Sequence, residues 1–183
     1  MSPDRGCPSG RFFRNFVIKY HTMKFLRVGI TLLILLFCAR LTVHGQVTVA
    51  GAAAATPNGV FANLGAAFTA INATNQAGLN ISITVTANVV EPAGAVLLQN
   101  AGPWATLVIQ PAGTVTVSGA VASALIDLNG ADNVTINGIN AGGNQLTIDN
   151  TSASNLASTI RLVNDAQNNL ITNCTIKGAS TGV

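Results

Sequence analysis

From residue 81 onward, short runs of the chain alternate apolar and polar side chains, which is the pattern of half-buried β-strands. Each run is rich in Val, Ile, Leu and Thr, and Gly, Asn, Asp or Pro separates one run from the next. The predicted strands are residues 81–86, 106–110, 114–117, 125–128, 133–137, 145–149, 159–163 and 169–172. Because no helical pattern lies between them, an alternating βα sheet is excluded. An antiparallel sandwich or barrel and a parallel solenoid remain.

A short helix is predicted ahead of these strands. Leu64, Phe68 and Ile71 recur at i, i+4 and i+7, and Asn63 is placed to act as the N-cap. So short a helix must be stabilised by docking its apolar face, and we expect it to plug the open end of the first coil of a solenoid. Residues 46–60, before it, are predicted to be a linker or an entry strand.

Internal similarity favours the solenoid. Residues 125–136 align with residues 160–171 at an offset of 35, with four identities in twelve positions. The identical pairs are Asn129/Asn164, Ala131/Ala166, Asn133/Asn168 and Ile136/Ile171. A period of 20 to 50 residues is typical of stacked repeats.

Asparagines that follow the predicted strands favour the same fold. They are Asn129, Asn137, Asn150, Asn164 and Asn173. Asn tolerates the left-handed backbone region and can therefore turn a sharp corner, and stacked Asn side chains can hydrogen-bond into a ladder. The alternative is that these residues are ordinary Asn-rich loops. We predict an all-β fold, a right-handed parallel β-helix (solenoid) with a short N-terminal capping helix.

Charge divides the chain into two parts. The whole sequence carries +3, but seven of the nine Lys/Arg and one acid lie in the first 45 residues, a net of +6. Residues 46–183 contain two bases and five acids, a net of −3, so a basic nucleic-acid-binding face is excluded. This part also contains no His, Tyr or Met, which excludes imidazole metal sites and His-dependent relays. We predict no catalytic, cofactor-binding or metal-binding residues and no cofactor.

The basic segment has the three-part layout of a secretory signal peptide, assigned to residues 23–45. Its apolar core is ten residues long (28–37), shorter than the roughly 20 that a spanning helix needs. An uncleaved anchor and a lipoprotein site at Cys38 are the alternatives. Residues 1–22 are interpreted as a non-native upstream extension. The mature chain is then secreted or displayed at the cell surface, has no membrane span, and keeps Cys174 as its single cysteine, without a disulfide.

Residues 66–72 (AAFTAIN), 124–138 (ALIDLNGADNVTING), 146–152, 159–166 and 173–178 resemble the opening of large secreted β-helix repeat proteins of Bacteroidota-type bacteria. The resemblance covers most of residues 60–183, and the predicted capping helix and coils are assigned to residues 61–183. It implies a right-handed parallel β-helix at the start of a long protein that carries a C-terminal sorting domain for type IX secretion, which this sequence lacks.

Four aspartates and one arginine are the candidates for polysaccharide chemistry of the kind found in β-helix lyases and hydrolases. They are Asp127, Asp132, Asp149, Asp165 and Arg161. No two of the aspartates lie within four residues of each other, so we interpret them as solvated corner residues. Arg161 alternates outward between two apolar residues, as a surface strand residue does; a lyase base is the alternative. Ca²⁺ held between coils by Asp and Asn is a further alternative.

Two more residues have a structural and a functional interpretation. Cys174 is predicted to be a small buried side chain rather than a reactive thiol. Trp104 is predicted to cover a core edge, and a carbohydrate-stacking platform is the alternative.

The sequence favours a non-catalytic exported module, a surface spacer or adhesin-like protein whose turns contact glycans or other surface proteins. The alternative is the N-terminal part of a polysaccharide-active lyase or hydrolase whose catalytic coils lie beyond residue 183, since the chain reads as truncated there.

Overall fold

The computed structural model describes residues 45–53, 57–99 and 102–182, so that the predicted leader lies outside the described residues except for Gly45. One helix, α1 (Leu64–Asn72), is present in this part of the chain. The strands are β1 (Val47–Ala50), β2 (Gly59–Phe61), β3 (Asn80–Val85), β4 (Val89–Val90), β5 (Ala95–Leu98), β6 (Thr106–Pro111), β7 (Thr114–Gly119), β8 (Ala124–Asn129), β9 (Val134–Asn137), β10 (Gln145–Asn150), β11 (Ser158–Val163), β12 (Leu170–Thr172) and β13 (Cys174–Gly178).

The strands form three sheets. Sheet A has the order β12-β9-β6-β3-β1-β2, sheet B the order β13-β10-β7-β4, and sheet C the order β11-β8-β5. From β3 onward, successive strands enter sheets A, B and C in rotation, and each pairs in parallel with the strand one turn later. We call one such turn a coil: β3–β5, β6–β8 and β9–β11, followed by β12–β13. Parallel pairing rules out the antiparallel sandwich and is compatible with a β-solenoid.

All eight strands predicted from alternation are present, and their bounds agree to within two residues. The strands that the pattern missed, β4, β5 and β13, are either two to four residues long or begin directly after a corner. The predicted linker or entry strand contains β1 and the start of β2. Both pair antiparallel, Val47 with Phe61 and with Val85, so sheet A begins antiparallel and becomes parallel from β3 onward.

Alternation places one side of each strand in a common core. In β3, β6 and β7 every second residue is buried, and Ile83, Ile109 and Ile136 occupy equivalent positions in three successive strands of sheet A. At the inter-strand spacing of roughly 4.8 Å, such side chains stack directly on one another. Strand β8 departs from alternation, because five consecutive residues from Ala124 to Leu128 are buried and both of its faces are therefore covered.

Helix α1 begins where the sequence predicts. Asn63 has extended backbone, and its side chain accepts a hydrogen bond from the backbone N–H of Ala66 at 2.8 Å. Leu64, Phe68 and Ile71 are buried and belong to the same apolar cluster as the strands. The helix therefore covers one end of the core, as predicted.

The spatial repeat is not constant in sequence. Ile81 pairs with Leu107, Leu128 with Leu162, and Ile171 with Ile136, offsets of 26, 34 and 35 residues. The predicted alignment at 35 is correct for β9 and β12 but wrong by one residue for β8 and β11. Asn129 pairs with Val163 and Thr135 with Leu170, so the later coil has one residue more between these paired positions. An ungapped alignment slips there.

Candidate functional site

The corner between sheets A and B differs in length from coil to coil. It consists of residues 86–88, then 112–113, then 138–144, and finally Asn173 alone. We call residues 138–144 the corner loop. It is seven residues long, and its middle residues, Asn140 to Gly143, are exposed. The coil β9–β11 therefore has a longer segment at this corner, where the neighbouring coils have turns of one to three residues.

The corner loop has a strained backbone. Ile139 has φ of 63°, and the N–H of Asn140 donates to the carbonyl of Gly138 at 2.7 Å across it. A β-branched residue rarely adopts positive φ, and such a conformation costs on the order of 1–3 kcal/mol. Asn140, Gly142 and Gly143 also have positive φ, but Asn and Gly tolerate it. The strain is thus concentrated at one residue.

Neighbouring coils hold the corner loop in place. Asn144 accepts a hydrogen bond from the N–H of Gly113 at 2.7 Å, and the Thr114 hydroxyl donates to the carbonyl of Gly143 at 3.1 Å. On the other side, the N–H of Gly138 donates to the carbonyl of Thr172 at 2.9 Å. The loop is therefore fixed at both ends, and its exposed centre presents amide and backbone groups without a charge.

The predicted asparagine ladder is confirmed at two corners. The side-chain amide of Asn164 donates to the Asn129 Oδ1, and that of Asn173 donates to the Asn137 Oδ1 at 3.1 Å. Asn164 and Asn173 have positive φ, as the turn argument requires. Asn129 and Asn137 do not belong to the left-handed residues, so the argument from backbone conformation holds only in the last coil.

Asn150 has a different role from the one that the ladder predicts. Its side chain is buried, and none of its hydrogen bonds within the described structure is to another Asn. Instead its Nδ2 donates to the carbonyls of Val121, Ser123 and Ser158, and its Oδ1 accepts from the N–H of Val121. One buried amide therefore joins the sheet B–sheet C corners of two coils.

The interpretation of Asp127 as a solvated corner residue is wrong. Asp127 lies in β8, is 3% exposed and accepts hydrogen bonds from Arg161 Nε at 3.1 Å and Nη2 at 2.6 Å. The two residues are neighbours in the register of β8 and β11, 34 residues apart, which the slipped alignment concealed. A bidentate ion pair of this kind fixes the orientation of the planar guanidinium.

Arg161 is outward-facing and partly exposed, as predicted. Its hydrogen bonds and charge attraction to Asp127 raise the pKa of the guanidinium above its ordinary value. A more firmly held proton leaves less of the neutral guanidine that could accept a proton from a substrate, which weighs against the lyase alternative.

Asp132 and Asp165 lie in turns, as predicted, whereas Asp149 lies within β10, so the corner interpretation is wrong for Asp149 as well. Asp132 accepts from the N–H of Gln167 at 2.6 Å, and Asp165 accepts from the Gln167 side chain at 2.7 Å. Asp149 is half-buried on sheet B and stands in register with Lys177. Asp132 and Asp165 therefore both hold Gln167 in the turn between β11 and β12, and Asp127 and Asp149 lie on two different sheets.

Glu91 carries a role that the sequence analysis missed. It is 2% exposed, and its carboxylate accepts hydrogen bonds from the N–H groups of Leu64 and Gly65 at 2.7 and 3.0 Å, at the start of α1. Burial raises the pKa of Glu91 above its ordinary value of 4.5, although both hydrogen bonds act in the opposite direction. The only available signal was a single Glu followed by Pro in a nearly uncharged region.

Cys174 is half-buried and packs against the core, and its Sγ lies 3.2 Å from the carbonyl of Thr172. Burial raises the pKa of the thiol, which disfavours the thiolate that a reactive cysteine needs.

Trp104 is 2% exposed, and its indole N–H donates to the carbonyl of Asp132 at 2.7 Å. The carbohydrate-stacking alternative for Trp104 is therefore wrong, because the ring face is buried.

Among residues 45–53, 57–99 and 102–182, no three His, Cys, Asp or Glu side chains lie close enough together to hold a metal ion. The same residues contain no helix with the length and apolar character needed to cross a membrane. The described surface carries few charges, with Arg161, Asp165 and Lys177 among its exposed charged residues. The corner loop adds neutral amide and backbone groups. Comparisons with protein-family models, with curated proteins and with solved structures found no match to this chain.

Proposed function

We propose that this chain is a non-catalytic, exported module that binds neutral glycans or surface proteins through its corner loop. The observation that carries the proposal is the strained, exposed seven-residue turn at a corner where the preceding coil needs only two residues. Strain of this kind persists where the surrounding structure enforces it and is concentrated at binding sites. Hydrogen bonds to Gly113 and Thr172 provide that enforcement.

Three carboxyl side chains already have structural partners, which supports a binding role over a catalytic one. Glu91 holds the start of α1, Asp127 is paired with Arg161, and Asp132 holds a turn. Each of these three side chains is therefore bonded to the scaffold on which the corner loop is displayed.

We also propose that the fold is a right-handed parallel β-helix. Strands that rotate through three parallel sheets form a right-handed parallel β-helix if their crossovers have the hand that almost all parallel connections have. The proposal also includes export, which the signal-peptide pattern of residues 23–45 supports. It further includes a family relation to secreted Bacteroidota-type β-helix proteins. N-terminal sequencing of the secreted product tests export, with the new terminus expected at Gln46.

The binding proposal is tested by shortening the corner loop. Residues 138–144 are replaced by Ala-Gly, the corner of the preceding coil, and binding to a glycan array is compared with that of the unaltered chain. The matched control replaces residues 151–157, also seven residues, by residues 120–123 of the preceding coil. We expect at least a tenfold loss with the first replacement and little change with the second. Equal binding by both variants, or release of cleaved sugar, contradicts the proposal.

A further inference from the structure

The outward face of sheet B carries an unbroken column of threonines. Thr116, Thr147 and Thr175 are register partners in β7, β10 and β13, and all three are half-buried. We call these three residues the threonine column. The Asn88 side chain accepts a hydrogen bond from the N–H of Thr116 at 2.9 Å, so Asn88 extends the column by one coil. Because neighbouring strands lie about 4.8 Å apart, the side chains follow one another at that interval along the stack of coils.

The outward faces of the other two sheets are different. In the described parts of sheets A and C, no three successive register partners carry hydroxyl groups. In sheet A, Thr135 lies between Val108 and Leu170, and Thr84 is followed by Gln110. The continuous column is therefore a property of sheet B and does not follow from strand alternation alone.

The hydroxyls of the threonine column are available to a ligand. None of them bonds another described residue, whereas the hydroxyls of Thr114 and Thr151, at either end of the same face, donate to backbone carbonyls. They are also absent from the fully buried polar atoms that lack a partner, so they reach solvent. A hydroxyl group can both donate and accept a hydrogen bond, which makes this row complementary to other hydroxyl groups.

The threonine column lies between the corner loop and a pair of opposite charges. On one side, Thr114 bonds the carbonyl of Gly143, so the corner loop borders sheet B two residues before Thr116. On the other side, Asp149 and Lys177 stand in register, two residues after Thr147 and Thr175. Opposite charges in adjacent positions leave this face without a net charge, which favours a neutral ligand over an acidic or basic one.

This face has no aromatic ring on which a sugar could stack. Phe61, Phe68 and Trp104 are the aromatic residues after position 45. Phe68 and Trp104 are buried, and Phe61 is half-buried in β2 of sheet A. Recognition here must therefore rely on hydrogen bonds from hydroxyls in a row. An extended β-1,4-linked glycan presents hydroxyls in the same way, because its successive rings advance by a distance similar to the inter-strand spacing.

We propose that the threonine column, together with the corner loop, binds a neutral, extended β-1,4-linked glycan that lies along the stack of coils with one sugar ring opposite each coil. This inference rests on the proposed function, because it names the ligand class and its orientation at the same site. An α-1,4-linked glycan of the same sugar winds into a helix, so its rings do not stay in step with the coils.

Isothermal titration calorimetry of the full chain with cellohexaose and maltohexaose tests the choice of linkage. We expect cellohexaose to bind about tenfold more tightly or better, because the wound chain of maltohexaose reaches fewer of the hydroxyls. Affinity should also rise from cellobiose to cellotetraose, since each further ring reaches a further coil. Equal affinities for the two hexasaccharides, or for cellobiose and cellotetraose, overturn the proposal.

A pair of matched variants tests the column itself. Thr147→Val removes the central hydroxyl and nearly keeps the shape of the side chain, and we expect it to weaken cellohexaose binding about fivefold. Thr135→Val, on the outward face of sheet A in the same coil, is the control and should leave the affinity unchanged. An unchanged affinity in Thr147→Val overturns this inference alone, provided that shortening the corner loop still abolishes glycan binding. If the unaltered chain binds no glycan, the proposed function and this inference both fail.

Discussion

The two ends of the sheets meet the same physical problem in different ways. At the lower end, α1 covers the core, β1 and β2 extend sheet A antiparallel, and the Asn72 side chain bonds the free edge of β5. At the upper end, β11, β12 and β13 have no such cover in the described residues, and Leu162 is 44% exposed. The side chains of one coil are therefore buried by the coils next to it, and equivalent residues differ in burial according to whether a neighbour is present.

The largest effect is expected at the closed end. Phe68→Ala removes a fully buried ring from the helix that covers the core, and we expect it to lower the free energy of unfolding by about 3–5 kcal/mol. Urea denaturation followed by circular dichroism measures the change. Val60, 61% exposed on β2, provides the control, because Val60→Ala should change the stability by less than about 0.5 kcal/mol. A loss near zero for Phe68→Ala would show that α1 does not close the core.

A second pair of variants compares equivalent positions in successive coils. Leu128 and Leu162 are register partners, but the first is 0% and the second 44% exposed. We expect Leu128→Ala to cost about 2–5 kcal/mol and Leu162→Ala only about 1 kcal/mol in the same unfolding experiment. Equal costs would mean that the upper end is as well buried as the interior, which contradicts an open end.

The pH dependence of stability tests the junction between Glu91 and α1. Because the pKa of Glu91 is raised in the folded state, the native chain binds its proton more tightly than the unfolded chain does. Its contribution to stability is therefore complete below the ordinary value of 4.5 and is lost as pH rises through the raised folded value.

We expect the stability of the unaltered chain, relative to Glu91→Gln, to decline as pH rises above that ordinary value. Thermal unfolding from pH 4 to pH 7 measures the difference, and Asp165→Asn, an exposed acid in a turn, serves as the control. A difference that grows with pH would show that the two backbone hydrogen bonds outweigh the cost of burial.

The smallest effect is expected at the corner loop, which is far in sequence from α1. A substitution there can relieve backbone strain without changing either end of the sheets. Ile139→Gly removes a cost of about 1–3 kcal/mol and adds chain entropy of about 0.5–1 kcal/mol to the unfolded state, so a net gain of about 1 kcal/mol follows. Asn140→Gly, at a residue that tolerates positive φ, should be close to neutral. Urea denaturation of both variants checks the ordering, which a destabilising Ile139→Gly would reverse.

The fold was more predictable than the site because strand alternation and helical periodicity are local signals. Asn63 and the apolar face of α1 are contained within ten residues, and each predicted strand within six. Asp127 and Arg161 are paired across 34 residues, and Glu91 reaches α1 from 26 and 27 residues away. Such contacts depend on how many residues each corner contains, which alternation does not encode. Trp104 was predicted to cover a core edge, and this is confirmed, since the residue is 2% exposed and belongs to the core cluster.

Native-state hydrogen exchange measured residue by residue by NMR tests most directly whether the sheets are closed below and open above. We expect amides of β6–β10 to exchange only through global unfolding and those of β11, β12 and β13 to exchange at least tenfold faster, through local opening of the uncovered coil. Strand β5, whose edge is bonded by Asn72, should group with the slow strands. Protection of β11, β12 and β13 equal to that of β8–β10 would contradict the account.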